Sequence, residues 1–143
     1  MALILADTSA WIEHDRATGS AVDERLTDLI VRAPHLVAVT EPIIAEVAIG
    51  ARTDGQEAEL RRLLARVQLL AFQNPGDFDA AAQIYRRCRT VGVTPRGLVD
   101  CMIAAVARRH GAVLLAQDAD LVRIAGVVGI DLDEASPGAG SHG

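Results

Sequence analysis

With 143 residues, half of them hydrophobic and only 3% aromatic, the chain suits one domain whose core is built from Ala, Val, Leu and Ile. So few aromatic side chains disfavour a single-strand binder that works by base stacking, and a formal net charge of -5 argues against broad electrostatic capture of nucleic acid. Cys88 and Cys101 are too few for a disulfide framework and lack metal-site spacing; there is no secretory pattern and no apolar run of membrane-spanning length, so a soluble cytoplasmic protein with no membrane partner is expected.

Residues 3–6 are a short apolar run, the pattern of a buried strand, and lead directly into Asp7-Thr8-Ser9-Ala10-Trp11-Ile12, the start of a helix. Gly19 and Ser20 open a second helix that runs to about Arg32 with Val22, Leu26, Leu29 and Ile30 facing a core, until Pro34 breaks it. Residues 36–39 read as the second strand. Thr40 then caps a helix with Pro42 in its first turn, running to about Arg52. After Thr53-Asp54-Gly55, residues 57–67 form a charged amphipathic helix with Leu60, Leu63, Leu64 and Val67 in one stripe. A strand over 69–71 follows, then a helix from Pro75 to about Val91 ended by Gly92. The loop Thr94-Pro95-Arg96-Gly97 feeds a largely apolar, central helix that runs to His110 before Gly111. The last elements are a strand over 113–116, a short helix over 121–125 and a strand near 130–132. Residues 1–135 are therefore expected to form the domain, and the tail 136–143, rich in small and polar residues, to be disordered.

Short apolar strands alternating with helices indicate an α/β domain with a mainly parallel sheet. In such sheets functional groups collect beyond the carboxyl ends of the strands. Asp7 and Asp118 both fall at that edge.

The acids deserve the closest reading. Asp100 is the one charged side chain in the apolar run 97–107, and Glu46 the one in 43–49. A lone ionised carboxylate on a core helix needs a partner. The chain has no lysine, so the partner is an arginine, a cation or a proton held through a raised pKa. Taken singly, Asp7 and Asp118 read as well as helix N-caps, Glu46 as a solvated helix residue, Asp120 as an exposed first-turn acid, and Arg96 is the alternative partner for Asp100. Taken together, two acids at one sheet edge and two lone acids on helix faces that must meet a core point to a cluster. Clustered carboxylates stay ionised only around a cation. An oxygen-only ligand set favours Mg²⁺ or Mn²⁺, and such ions orient and activate water, clamp a phosphate and stabilise its leaving oxygen.

Asp7-Thr8-Ser9-Ala10-Trp11, Glu46 in the helix after the second strand, Asp100 followed by Ile103-Ala104-Ala105, and the pair Asp118 and Asp120 closely resemble the PIN-domain ribonucleases, specifically the VapC toxins of bacterial toxin-antitoxin pairs. The likeness spans roughly residues 3–132. It implies a three-layer α/β/α fold with a mainly parallel, roughly five-stranded sheet, and an Mg²⁺- or Mn²⁺-dependent endoribonuclease that hydrolyses structured RNA such as tRNA or rRNA. It also implies that Asp7, Glu46, Asp100 and Asp118 are the metal-holding and catalytic acids, that Asp120 assists, and that Thr8 or Ser9 orients Asp7 or bound water. A homodimer, a VapB-like antitoxin and a larger toxin-antitoxin assembly are implied as well. The chain departs from the common pattern in two places: Ala116 stands where a Thr or Ser often precedes the fourth acid, and Leu121 where a Phe often follows Asp120. The first removes a hydroxyl near Asp118 and leaves the division of labour between Asp118 and Asp120 open.

Arg96, Arg86 and Arg87 are the candidate RNA contacts, against a plain reading of arginines on a solvated face or offsetting a helix dipole. Trp11 reads as core. Apolar side chains between Glu41 and Val67 suit a dimer face or an antitoxin groove. Phosphoryl transfer through an aspartyl-phosphate fits poorly, because the resemblances that use it normally require a lysine. The surviving non-enzymatic alternative is a catalytically weak PIN-like module that acts through protein or RNA binding.

Overall fold

Every residue of β1 (Ile4–Ala6) and β2 (Val37–Val39) is buried, as parallel strands covered by helices on both faces must be. The computed structural model describes residues 2–139. After β1 come α1 (Thr8–Asp15) and α2 (Ala21–Arg32); after β2 come α3 (Glu41–Gly50), α4 (Asp54–Leu64) and β3 (Gln68–Leu69). The chain continues through α5 (Gly76–Thr90), α6 (Leu98–His110), β4 (Val113–Leu115) and α7 (Ala119–Val128).

The sheet order is β3-β2-β1-β4 and all pairings are parallel. Leu5 lies opposite Ala38 on one side and Leu114 on the other, which makes β1 the centre of the sheet. By the right-handed rule for crossovers, α1 to α4, on the way from β1 out to β3, fall on one face, and α5 and α6, on the return to β4, on the other. The helix contacts largely divide the same way: α1 packs on α2 and α3, and α3 on α4, while α5, α6 and α7 pack on one another, and α3 also meets α6. This is the three-layer arrangement expected.

Local chemistry explains the ends of the elements. The Ser20 side chain accepts from the Asp23 amide and starts α2, and Pro34 ends it in a short 3-10 turn. Thr53 accepts from the Gln56 amide, so α4 begins at Asp54, ahead of the expected Glu57. Asp118 caps α7, and Gly129 closes it with a φ of 76°, a conformation glycine adopts without strain. That helix is longer than expected at both ends.

Two expectations need correction. The fifth strand near 130–132 is reduced to an isolated bridge between Leu132 and Leu114. The Asp131 carbonyl and the Asp133 amide bond the two sides of Leu114, after which Asp133 turns to Arg25 at 3.2 Å and the ladder stops. The tail also joins the fold at its first residue: Ser136 is buried, and its hydroxyl accepts from the Ala116 amide at 3.1 Å and donates to the Leu114 carbonyl at 3.3 Å. The end of the expected tail, 140–143, lies outside the described residues.

Helix α6 is central, as its composition suggests, with Cys101 and every residue from Ile103 to Ala107 buried. Trp11 is a core residue whose indole donates to the Ala6 carbonyl at 3.0 Å. Burial pushes the Cys101 thiol up to about 11, so it packs as a neutral side chain. Among the described residues no helix is long and apolar enough to cross a membrane.

One ion pair ties the end of α6 to the start of α5. Arg109 donates from Nε and Nη2 to both oxygens of Asp77, at 2.9 and 2.8 Å, and from Nη2 to the Ala71 carbonyl at 2.8 Å. Asp77 is only 2% exposed, and the Arg109 hydrogen bonds hold its carboxyl below the usual range despite burial. Arg109→Ala is expected to destabilise the protein by about 2 kcal/mol, since it strands a charged acceptor; urea unfolding of the variant against wild type measures this.

Candidate active site

The turn after β1, the turn after β4, one face of α3 and the first turn of α6 open onto a cleft of about 620 Å³ lined by Asp7, Glu46, Asp100 and Asp118. Parallel strands deliver Asp7 and Asp118 there, because both chains turn into helices at the same edge. Asp7 is still extended, its amide donating to the Leu115 carbonyl at 2.9 Å. It also caps α1: its Oδ2 accepts from the Ser9 amide at 3.2 Å and from the Ser9 hydroxyl at 2.8 Å. Asp118 caps α7 through the Asp120 amide at 3.3 Å. Capping and a place in the cleft are therefore compatible for both residues.

Ser9 is the joint of the site. While its hydroxyl donates to Asp7, it accepts from the amides of Gln117 and Asp118 at 2.9 and 3.1 Å. One donor and two acceptor positions are all in use, and the turns after β1 and β4 are locked together. Thr8 faces the other way and donates to Glu46 Oε1 at 2.6 Å, linking α1 to α3.

The charges in the cleft are poorly compensated. Asp7 is 3% exposed, and burial pushes its carboxyl from 3.8 up to about 6 against the hydrogen bonds from Ser9 and the Thr8 backbone, with Glu46 adding to the rise. Asp100 makes no side-chain hydrogen bond or ion pair among the described residues. Burial, followed by the charges of Asp7, Asp118 and Glu46, pushes it up to about 7. Arg96 does not pair with Asp100. It donates to Asp118 at 2.7 Å and to Asp120.

Among the described residues no three of these acids are already drawn into a ligand shell. The chemistry of the donors in the cleft nevertheless fits a metal ion. They are all oxygens, Asp100 is unpaired, and Asp7 Oδ1 is buried without a hydrogen-bond partner. Surplus carboxylate charge with no nitrogen or sulfur donor suits a hard divalent cation.

Known proteins share this arrangement of chain and fold. The PIN domain family model matches residues 4–127, and Ribonuclease VapC11 of Mycobacterium tuberculosis is 41% identical over 128 residues, 90% of this chain and 96% of that one. The chain belongs to the PIN-domain family, in its VapC group. Solved structures with the same fold include the DNA-bound VapBC of Salmonella typhimurium, with a TM-score of 0.71, 21% identity and coverage of 93% of this chain and 98% of that one. Another is VapC20 of Mycobacterium tuberculosis, a sarcin-ricin loop cleaving toxin, with a TM-score of 0.59, 23% identity and coverage of 83% and 92%.

Within this PIN domain several expected residues fall elsewhere. Asp120 does not line the cleft. Burial alone would raise its carboxyl, but hydrogen bonds and charge from Arg96 and Arg123 hold it below the usual range. Thr8 orients Glu46, leaving Asp7 to Ser9. Arg86 and Arg87 are exposed on α5 and do not line the cleft, whereas Arg96 is its basic wall. The hydroxyl missing at Ala116 is supplied from afar, by Ser9 to the Asp118 amide and by Ser136 to the Ala116 amide. Ser136 carries no sequence signal of this role, for it lies 20 residues from its partner beyond the last helix.

The raised carboxyls of Asp7 and Asp100 each contribute a stability that the metal-free PIN domain loses as pH rises. Between 3.8 and about 6 for Asp7, and to about 7 for Asp100, the folded chain holds protons that the unfolded chain has released. The penalty is complete above that window. Asp7→Asn in EDTA is therefore expected to be more stable than wild type at pH 8, on the order of 2 kcal/mol, with the gap closing towards pH 4. Thermal melts of both proteins across that range check it.

Proposed function

We propose that the protein is the toxin of a type II toxin-antitoxin pair, an Mg²⁺- or Mn²⁺-dependent endoribonuclease that hydrolyses phosphodiester bonds in structured RNA such as tRNA or rRNA. The observation that carries this reading is the group of Asp7, Glu46, Asp100 and Asp118 around one cleft, of which only Asp118 meets an arginine. These residues would hold the ion. A divalent cation bound there supplies the positive charge that lets water give up a proton near neutral pH and offsets the charge that gathers on the phosphate.

The rest is the chain's own contribution. Ser9 keeps Asp7 turned to its place and sets the Asp118 backbone at a fixed distance from it, while Thr8 holds Glu46. Water would add to phosphorus as the bond to the 3′-oxygen breaks, its proton passing to a carboxylate of the cleft and a proton from solvent going to the departing oxygen, which leaves a 5′-phosphate and a 3′-hydroxyl. Arg96, 72% exposed at its side chain on the rim, is placed to meet a neighbouring phosphate. Arg86 and Arg87 are more distant contacts for a long structured RNA.

A groove of about 360 Å³ with Trp11, Ile12, Val47 and Leu60 on its apolar side and Asp15, Arg16, Arg52 and Gln56 on its polar side adjoins the cleft through Ile12 and Glu46. It supports docking of a VapB-like antitoxin beside the acids. Exposed Ile49 on α3 suits the homodimer or a larger toxin-antitoxin assembly.

Asp7→Asn and Asp100→Asn are each expected to lower Mn²⁺-supported RNA cleavage by about 10²-fold or more with the circular dichroism spectrum retained. Cleavage by both purified variants at the wild-type rate would overturn the assignment. Cation binding must also expel the protons held by Asp7 and Asp100, so calorimetry with Mn²⁺ at pH 6.5 is expected to show proton release into the buffer, falling away above pH 8. The second reading, a binding module without turnover, draws on the hold of Arg96 over Asp118 and on the absence of a drawn-in ligand shell among the described residues. No measurable Mn²⁺ binding by wild type favours it.

A further inference from the structure

Among the described residues, two buried side-chain oxygens lack a hydrogen-bond partner, Asp7 Oδ1 and Thr40 Oγ1. Each is the first residue after one of two adjacent parallel strands, Asp7 after β1 and Thr40 after β2. Leu5 pairs with Ala38 in the parallel ladder, and both chains stay extended for two residues more, to Asp7 at φ -70°, ψ 163° and Thr40 at φ -133°, ψ 161°. Were that register continued, Asp7 would lie level with Thr40 and on the same side of the sheet, on neighbouring chains that a parallel ladder holds roughly 4.8 Å apart along the hydrogen-bonding direction. One orphan is an acceptor and the other can donate.

Thr40 occupies the N-cap of α3 without capping it. A threonine there ordinarily accepts from the second or third amide of the helix. The second residue is Pro42, which has no N–H, and the third amide, Ile43, is taken by the Thr40 carbonyl at 3.0 Å. The hydroxyl is thus released from capping while the residue is 0% exposed. A hydroxyl sealed from water without a partner is unfavourable, and a valine of the same shape would pack there without that cost.

We propose that Thr40 is a positioning residue for Asp7, its hydroxyl donating to Asp7 Oδ1 when a divalent cation is bound in the cleft. Ser9 holds one oxygen of Asp7 from the α1 side, and Thr40 holds the other from the turn between β2 and α3, so the plane of the carboxylate is set from two sides. Groups that hydrogen-bond a ligating carboxylate fix its direction and raise affinity for the ion. The inference rests on the divalent-ion reading of the cleft made above.

The test compares Mn²⁺ affinity by calorimetry in wild type, Thr40→Val and Thr40→Ser, with thermal melts in EDTA to verify folding. Thr40→Val is expected to bind Mn²⁺ about tenfold more weakly without a lower melting temperature, and Thr40→Ser to bind as wild type does. Should the valine variant fail to fold, Thr40→Ala takes its place with the same expectation. Wild-type affinity in the folded variant that lacks the hydroxyl overturns the role of Thr40 alone, whereas a wild type that binds no Mn²⁺ overturns the proposed function and this role with it.

Discussion

Like charges brought together at the carboxyl end of a parallel sheet constrain everything around them. Asp7 and Asp100 are held where burial and mutual repulsion disfavour ionisation, and each is pushed towards neutrality, to about 6 and about 7. A core of aliphatic side chains on both faces of the sheet tolerates that strain. The arrangement is possible because β1 and β4 are adjacent and parallel, so the helices that follow them start side by side. Their caps are carboxylates, and the helix N-termini offset part of the charge. The remainder is the property that a divalent cation would use.

Short polar bonds, rather than the bulk of the core, then set where Asp7, Glu46 and Asp118 point. Ser9 bridges Asp7 to the backbone of Gln117 and Asp118. Thr8 reaches Glu46 on a different helix, and Ser136 steadies the Ala116 backbone from beyond α7. Arg96 separates two acids that are neighbours in sequence. Asp118 stays in the cleft with one arginine contact, while Asp120 is turned aside between Arg96 and Arg123. Their environments diverge within one turn of helix, since successive helical positions face different directions.

Much of this was readable from residues. Apolar runs of strand length ending at Asp7 and before Asp118 locate β1 and β4, and the lone charges of Glu46 and Asp100 in apolar helices mark them as exceptional. The edges of the sheet were harder. Residues 130–132 have a strand's composition, yet Asp133 leaves the ladder for Arg25 and only a bridge remains. Arg96 was a credible counter-ion for Asp100 by its proximity in the chain, but the loop carries it over to Asp118 and Asp120. Ser136 stood in a stretch of tail-like composition, and nothing local distinguishes a serine that will seat against β4 from one left in solvent.

Sequence by itself determined the alternation of elements, the parallel sheet and the identity of the acids, because periodicity, caps and the rarity of charge in apolar segments are local properties of the chain. Tertiary structure decided which hydroxyl holds which carboxylate, which acid Arg96 takes and where the fifth strand fails. Those outcomes depend on side chains more than 20 positions apart meeting within about 3 Å, and a hydrogen bond of that range leaves no trace in the spacing of either residue alone.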